Sequence, residues 1–251
     1  MTLTIIERPS ANHDARPDGA KVDTLVLHYT DMLSAEAALR RLCDSLAEVS
    51  AHYLIAEDGA VFRLVPEQRR AWHAGRSRWR GVEGLNATSI GIELANPGHS
   101  NGYRPFPAAQ MEALITLARD VLGRHPIPSR NVVGHSDIAP ERKLDPGELF
   151  DWRQLAEAGI GLWPSGDASH SVNANPPLGM GDHGPRVTRL RRRLARYGYG
   201  LGDDDRFGPH TQAVVIAFQR HFRPERLDGS WDGECDHRLS RLLALAGEPD
   251  D

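Results

Sequence analysis

The stretch Thr24-Leu25-Val26-Leu27-His28 decides the fold of the first half of this 251-residue chain. Its short apolar run is typical of a buried strand, and residues 34–46 after it have helical periodicity with Ser34 as N-cap. Asp58-Gly59 predicts a hairpin between two further strands. In all, we predict additional strands at 52–56, 60–65, 89–94 and 131–133 and helices at 108–122 and 146–156. Strands interleaved with helices predict an α/β fold with a mixed central sheet flanked by helices.

The composition changes after Trp163, where the chain becomes small, polar and rich in helix breakers. This change predicts a linker at residues 164–180, between a larger domain at 1–163 and a smaller one at 181–251. Residues 185–197, 209–221 and 235–245 predict three short helices, so the second domain is a small three-helix C-terminal domain. Four arginines share one predicted face of its first helix, for which we expect exposure to solvent: Arg189, Arg192, Arg193 and Arg196.

The bulk composition indicates a globular protein. A net charge of −4 argues against a general nucleic-acid binder, and no stretch approaches the roughly 20 apolar residues of a membrane span. The N-terminus lacks the apolar segment of a secretory signal, so we expect a cytoplasmic protein, with the periplasm or cell envelope as the alternative. Cys43 and Cys235 fall in different predicted domains, so we expect neither a disulfide nor a thiolate metal site. The sequence predicts no particular oligomeric state.

Three residues far apart in the sequence form a candidate metal site: His28, His135 and Asp145. His28 ends a predicted strand and His135 follows Gly134 at the end of another, where loops at the edge of a sheet usually carry sites. Two imidazoles and one carboxylate are a ligand set of catalytic zinc, which keeps its fourth position open for water. Asp145 has an alternative role as the cap of the helix predicted to begin at Pro146.

Two further charged residues stand out against their surroundings. Glu93 lies in the otherwise apolar strand 89–94, where an unpaired carboxylate is costly to bury, so it needs either a salt bridge or a chemical role. Lys143 is one of only two lysines among 30 basic residues. In a chain that otherwise uses arginine, its place two residues before Asp145 indicates that a compact ammonium is needed there.

Several motifs, taken together, resemble a known enzyme family. In chain order they are Leu27-His28-Tyr29-Thr30, Ser50-Ala51-His52-Tyr53-Leu54-Ile55, Ala71-Trp72-His73-Ala74-Gly75, Ser89-Ile90-Gly91-Ile92-Glu93 and Gly134-His135-Ser136-Asp137-Ile138-Ala139-Pro140, followed by Lys143 and Asp145. From about residue 22 to 152 the chain closely resembles the zinc-dependent N-acetylmuramoyl-L-alanine amidases, the group related to peptidoglycan recognition proteins. Residues 50–93 look like the amidases that recycle anhydromuropeptides, and residues 182–245 are similar to a three-helix peptidoglycan-binding domain.

The resemblance implies a role for each motif residue. His28, His135 and Asp145 would bind zinc, Glu93 would act as general base or acid, and Lys143 would stabilise charge on the oxyanion side. The other motif residues would contact substrate or support the ligands, with structural packing as an equal alternative for the two histidines among them: Tyr29, His52, Trp72, His73 and Arg78. For the neighbouring Trp79 we expect packing at the surface.

The implied reaction is hydrolysis of the amide bond between N-acetylmuramic acid, or its anhydro form, and the L-alanine of the stem peptide. The partner would be peptidoglycan or a muropeptide, in cell-wall turnover or recycling. A non-catalytic peptidoglycan recognition protein is the alternative, although such relatives typically lose a zinc ligand. A zinc peptidase that cuts within the stem peptide fits these motifs less well. The binding domain favours polymeric wall as substrate, whereas the missing signal favours soluble anhydromuropeptides, and the sequence leaves both open.

Overall fold

The computed structural model of this protein describes residues 3–165 and 176–250. The centre of the predicted linker, residues 166–175, lies outside the described residues, and the domain boundaries stay a prediction. Cys43 and Cys235 are free thiols, as expected. Within the described ranges, no helix has both the length and the apolar character needed to cross a membrane.

Ten short strands build the N-terminal part: β1 (Ile5–Glu7), β2 (His13–Ala15), β3 (Thr24–Tyr29), β4 (Tyr53–Ile55), β5 (Val61–Arg63), β6 (Arg69–Ala71), β7 (Arg78–Trp79), β8 (Val82–Glu83), β9 (Ser89–Leu94) and β10 (Val132–Gly134). Six of them form one sheet in the order β1-β5-β4-β9-β3-β10. All neighbours in it are parallel except β4 and β5, which form the predicted antiparallel hairpin. The predicted mixed central sheet is therefore confirmed.

The helices are α1 (Ala35–Cys43), α2 (Ala108–Arg124), α3 (His135–Ile138), α4 (Trp152–Glu157), α5 (Pro185–Tyr197), α6 (Pro209–Phe222) and α7 (Gly233–Leu245), with short 3₁₀ turns at Ser45–Ala47, Leu85–Ala87 and Ser129–Asn131. Ser34 is the N-cap of α1, and its side chain accepts a hydrogen bond from the Ala37 N–H, as predicted. The three predicted C-terminal helices are confirmed.

The two faces of the sheet bury different residues because side chains alternate along a strand. Leu25 and Leu27 of β3 pack with Leu114 and Leu117 of α2 in one core cluster. Val26, between them on the opposite face, belongs to a cluster that it shares with the C-terminal helices. His28 follows the same alternation and therefore lies on the Val26 face, away from α2.

The helix predicted at residues 146–156 is wrong in its first half. Gly147 has φ +88, in the left-handed region that a right-handed helix cannot contain. Helix α4 instead begins at Trp152, with Asp151 as the N-cap whose side chain accepts from the Gln154 N–H. The alternative role of Asp145 as a helix cap is therefore also wrong.

Five strands have no counterpart in the sequence pattern. Strands β1, β2, β6, β7 and β8 are only two or three residues long, so they carry no periodicity that a pattern could reveal. β2 and β6 pair antiparallel with each other, and so do β7 and β8.

The C-terminal helices pack directly against the N-terminal part. Trp79 is 2% exposed and meets the rings of Tyr197 and Tyr199 edge-on, at centroid distances of 5.9 and 5.1 Å. Its predicted place at the surface is wrong, because the contact that buries it comes from more than a hundred residues later in the sequence. Residues from both parts thus share one hydrophobic cluster.

The prediction that the arginines of α5 face solvent is wrong for Arg193. Arg193 is 1% exposed and pairs with Asp236 and Asp250. It lies three residues after Leu190 and four before Tyr197, both buried, so helical spacing places it on the buried stripe. Arg189 and Arg192 are exposed, as expected.

Candidate metal centre

Three separate elements bring the predicted ligands together at the carboxyl edge of the sheet. His28 stands near the end of β3, His135 opens α3 directly after β10, and Asp145 follows in the next loop. His28 Nδ1 lies 3.0 Å from His135 Nδ1 and 2.9 Å from Asp145 Oδ2, and His135 Nδ1 lies 3.0 Å from the same carboxylate oxygen. All three residues are buried. The predicted ligand set is therefore brought to a single point.

A hydrogen-bond chain fixes the proton on the His28 ring. The Ser89 hydroxyl donates to the Leu85 carbonyl at 2.6 Å, so Ser89 Oγ accepts from His73 Nε2–H at 3.1 Å. Burial, followed by the neighbouring histidines, lowers the pKa of His73 well below its usual range, so the ring is neutral and its Nδ1 accepts. His28 Nε2–H donates to that nitrogen at 3.0 Å. The proton of His28 is thus on Nε2, and its Nδ1 is bare.

The second imidazole is oriented in the same way. His135 Nε2 lies 3.1 Å from the Ala74 carbonyl oxygen, which can only accept, so Nε2 carries the proton and Nδ1 is free. Burial and the nearby His135 lower the pKa of His28 to about 4, so His28 is neutral at physiological pH. Asp145 is buried beside both rings, with 6% of its surface exposed.

Three lone-pair donors therefore face one another without a proton between them. Two bare Nδ1 atoms and a carboxylate oxygen at 2.9–3.0 Å repel unless a cation lies among them. Neutral imidazole and carboxylate are ligands that zinc accepts in catalytic sites, and a ring whose other nitrogen donates to a fixed partner is the usual way to orient a metal-binding histidine. The donor chemistry of this cluster thus fits zinc.

Glu93 lies beside the cluster and is a candidate for the chemistry. Strands β3 and β9 pair His28 directly with Glu93, so both side chains leave the same face of the sheet. Its Oε2 is shielded from solvent and has no hydrogen-bond partner among the described residues. Burial, then the charge of Asp145, raises the pKa of Glu93 well above its usual range, although Lys143 opposes this. Within residues 3–165 and 176–250, Glu93 does not form the salt bridge that was the alternative explanation of its burial.

A pocket of about 390 Å³ opens above these groups. Lys143 and Tyr29 line it together with the three cluster residues, Glu93 and His73. The pocket continues over a more apolar wall contributed by the loop after β3, by α1 and by the segment before β4: Met32, Ala38, Leu42 and Val49. A carboxylate, an ammonium and the candidate metal ligands thus share one solvent-accessible cleft.

Three predicted substrate contacts lie elsewhere. His52 is fully buried, and its Nδ1 accepts from the Gly91 N–H at 3.0 Å. The backbone of Trp72 bonds to Ser50, and its side chain does not line the pocket. Arg78 lines a separate cleft where the two parts of the chain meet. None of the three lines this pocket, and their contact with substrate stays a prediction.

His99 lies in a polar loop, and no sequence pattern singled it out. It lines the pocket, accepts from the Tyr29 hydroxyl at 2.8 Å and donates to Glu148 at 3.1 Å. Ser89 was likewise missed, although it ends the chain that orients His28. Neither has a local pattern, because both act through partners distant in the sequence.

Comparison with known proteins adds independent evidence. A family model described as N-acetylmuramoyl-L-alanine amidase matches residues 18–148, and a model for a peptidoglycan binding domain matches residues 183–235. The N-acetylmuramoyl-L-alanine amidase AmiD of Escherichia coli is 41% identical over 97% of this chain and 92% of its own length. The 1,6-anhydro-N-acetylmuramyl-L-alanine amidase AmpD of Enterobacter cloacae is 40% identical over 59% of this chain and 86% of its own.

Solved structures agree with these matches. The structure of E. coli AmiD with the substrate anhydro-N-acetylmuramic acid-L-Ala-D-gamma-Glu-L-Lys superposes with a TM-score of 0.78 at 40% identity, over 93% of each chain. AmpDh3 of Pseudomonas aeruginosa in complex with anhydromuramic pentapeptide gives a TM-score of 0.78 at 36% identity, over 91% of this chain and 94% of the other. The resemblance seen in the motifs is confirmed, and the chain belongs to the N-acetylmuramoyl-L-alanine amidase family.

Proposed function

We propose that this chain is a zinc-dependent amidase that hydrolyses the bond between muramic acid and the L-alanine of a stem peptide. The observation that carries the proposal is the cluster of three unprotonated donors, His28 Nδ1, His135 Nδ1 and Asp145 Oδ2, beside the unpartnered carboxylate of Glu93. When bound there, zinc would act as a Lewis acid and bring the pKa of a water ligand towards neutrality.

Glu93 is the proposed general base and acid. Its raised pKa suits a group that must both take up and release a proton near neutral pH. In this role Glu93 takes the proton of the attacking water. It then delivers that proton to the nitrogen of the leaving alanine. Because its Oε2 has no hydrogen-bond partner among the described residues, that atom has no competing role.

Lys143 is the proposed electrostatic stabiliser. It lines the same pocket as Glu93 and the ligands. A cation there would favour the negative charge that develops on the carbonyl oxygen as the tetrahedral carbon forms. Tyr29 and His99 form the hydrogen-bonded wall beside it, and we assign to them contact with the substrate.

Anhydromuropeptides are the substrates that we propose first. E. coli AmiD and P. aeruginosa AmpDh3 have both been crystallised with such ligands, and the pocket has room beyond the cluster for part of a peptide. Turnover of a purified anhydromuropeptide should be compared with release of stem peptides from intact sacculi. The compartment, cytoplasm or cell envelope, should be determined by fractionating cells that carry a tagged copy of the full gene.

The experiment that tests the chemistry is Glu93→Gln in the full chain. We expect turnover to fall by about 10²–10⁴-fold, because a positioned acid–base group contributes about that much, while zinc content stays at the wild-type level. Mass spectrometry should place the new amine on L-alanine, and a strong chelator should abolish wild-type activity. The control is Glu7→Gln, which changes an exposed carboxylate on β1.

Two outcomes would overturn the proposal. Activity that survives both chelation and Glu93→Gln would exclude this mechanism, and a new amine elsewhere in the peptide would identify a peptidase. Binding to sacculi with no product from any muropeptide would favour the alternative, a recognition protein.

A further inference from the structure

Asp137 is a buried carboxylate that the chemistry above does not use. It lies two residues after His135 in the short helix α3 and is 1% exposed. Its Oδ2 accepts from the Gly134 N–H at 2.7 Å, so it holds the turn that leads into the ligand His135. A carboxylate buried this deeply needs further donors to offset the loss of its hydration.

Both further donors come from the C-terminal part of the chain. The Tyr199 hydroxyl donates to Asp137 Oδ1 at 2.8 Å, and His221 Nδ1 donates to Oδ2 at 2.7 Å. Tyr199 lies in the loop two residues after the end of α5, and His221 lies in the last turn of α6. Hydrogen bonds to an ionised acceptor are shorter and stronger than neutral ones, so these contacts fix the carboxylate firmly.

The two donors have little freedom of their own. The His221 ring is stacked between Trp152 and Phe222, with centroid distances of 3.7 and 3.8 Å. The Tyr199 ring meets Trp79 edge-on at 5.1 Å. Side chains packed against neighbouring rings in this way transmit position because packed interiors yield little.

The position of α3 in turn governs the candidate metal centre. His135 begins this helix, and the Ser136 N–H donates to the Asp145 carbonyl at 2.9 Å. Any shift of the turn would therefore move two of the three donor atoms, His135 Nδ1 and Asp145 Oδ2, relative to His28. Partners of this kind, one step removed from the ligands, typically change metal affinity or activity by about 10–100-fold when lost.

We infer that Tyr199 and His221 are positioning residues for the metal centre. The C-terminal helices therefore complete the catalytic unit through Asp137, in addition to any contact they make with peptidoglycan. This inference rests on the proposed function, because it takes His135 and Asp145 as metal ligands.

The test uses the full chain and two variants that keep the aromatic packing, Tyr199→Phe and His221→Phe. Each removes one donor to Asp137. We expect each to raise the zinc dissociation constant about 10-fold or more, measured by competition with a chromogenic chelator. The visible absorption bands of the cobalt-substituted protein should shift, and kcat should fall while KM is retained.

Two matched variants separate positioning from packing. His221→Asn restores a side-chain N–H donor where Nδ1 stood and should recover much of the zinc affinity. Tyr197→Phe removes a hydroxyl from the same aromatic cluster, 6.3 Å from the Tyr199 ring, and in the described part of the chain that hydroxyl makes no bond to Asp137. It should leave zinc affinity and the cobalt bands unchanged.

The outcomes distinguish this inference from the proposed function. If Tyr199→Phe and His221→Phe lower the melting temperature but keep wild-type zinc affinity and cobalt bands, the contacts only stabilise the interface and the inference is wrong. An equal effect of Tyr197→Phe would also overturn it. A wild-type chain that binds no zinc would refute the proposed function itself, and this inference with it.

Discussion

His73 Nδ1 lies 3.0 Å from His28 Nε2, on the side of the His28 ring that faces away from Asp145. His73 is itself held by Ser89 and does not touch the other two donor atoms of the cluster. It therefore acts on the metal centre only through His28, by keeping the proton of that ring on Nε2 and the lone pair of Nδ1 free.

The first prediction concerns this contact. His73→Phe keeps a flat ring in place but cannot accept from His28, so the His28 ring loses the partner that fixes its tautomer. We expect zinc affinity to fall about 10–100-fold, measured by chelator competition. His73→Asn, whose Oδ1 can accept in place of Nδ1, is the control and should retain more affinity. Equal affinity of His73→Phe and wild type would contradict the proposed orientation of His28.

The second prediction concerns Gly91, in the middle of β9. A Cβ built on Gly91 would lie 2.5 Å from His73 Cγ, so only glycine lets the imidazole lie against the strand. Gly91→Ala should displace His73 and, by overpacking, lower the free energy of unfolding by about 1–3 kcal/mol. Because His73 orients His28, the substitution should also weaken zinc binding, as His73→Phe does. Thermal unfolding and chelator competition measure the two effects.

Gly123→Ala is the matched control for this substitution. Gly123 lies in α2 and an added Cβ there meets no heavy atom within 4 Å. Alanine is a better helix former, so we expect a gain of up to about 1 kcal/mol. If Gly91→Ala behaved like Gly123→Ala, the close approach to His73 would not matter.

The third prediction concerns pH and Glu67, a buried carboxylate far from the pocket. Burial alone would raise its pKa, but hydrogen bonds from Arg124, Tyr53 and His125 outweigh it and lower the pKa from 4.5 to about 2. A carboxyl whose pKa falls on folding stabilises the native state above its unfolded pKa. That contribution is lost as the pH drops from about 4.5 to about 2.

Glu67→Gln should therefore lower the free energy of unfolding at neutral pH. In acid, the variant and the wild type should be equally stable. Because Arg124 is 41% exposed, its charge is partly screened, so we expect about 2 kcal/mol rather than the about 3–5 kcal/mol of a fully buried pair. Urea unfolding at pH 7 and near pH 3 measures the difference, with Glu112→Gln on the exposed face of α2 as control. If the difference in unfolding free energy between wild type and Glu67→Gln were the same at both pH values, the pKa of Glu67 would not be lowered in the folded protein.

The sequence predicted the parts of this molecule that local patterns control. β9 has the predicted bounds, and the α/β alternation follows from periodicity. His28, His135, Asp145 and Glu93 were found as chemistry-bearing residues at strand ends or in an apolar strand, and the structure brings all four to one pocket.

The remainder depends on contacts between distant segments, which no local pattern contains. Trp79 was expected at the surface because the residues that bury it, Tyr197 and Tyr199, belong to a different part of the chain. The helix was predicted to begin at Pro146, but the left-handed backbone conformation of Gly147 prevents a helix from starting there. The sequence assigned no role to Asp137 within its motif, because two of its hydrogen-bond donors, Tyr199 and His221, lie more than 60 residues later in the chain.

The fourth prediction concerns Arg193, which the sequence placed on a solvated face. Its guanidinium pairs with Asp236, contacts Asp250 at 2.6 Å and donates to Ser240 at 2.7 Å, joining α5 to α7 and the C-terminus. Arg193→Ala removes the cation and leaves two carboxylates close together. Both aspartates are about 30% exposed, so water recovers part of the loss, and we expect a cost of about 2–4 kcal/mol.

Arg192→Ala is the matched control, one residue earlier on the same helix. Arg192 is 65% exposed and pairs with Asp203 at 3.5 Å, so its removal should cost less than about 1 kcal/mol. Urea unfolding followed by tryptophan fluorescence compares the two variants directly. If Arg193→Ala cost no more than Arg192→Ala, the buried pairs would contribute nothing beyond an ordinary surface arginine, and the solvated face first expected for α5 would be the better description of Arg193.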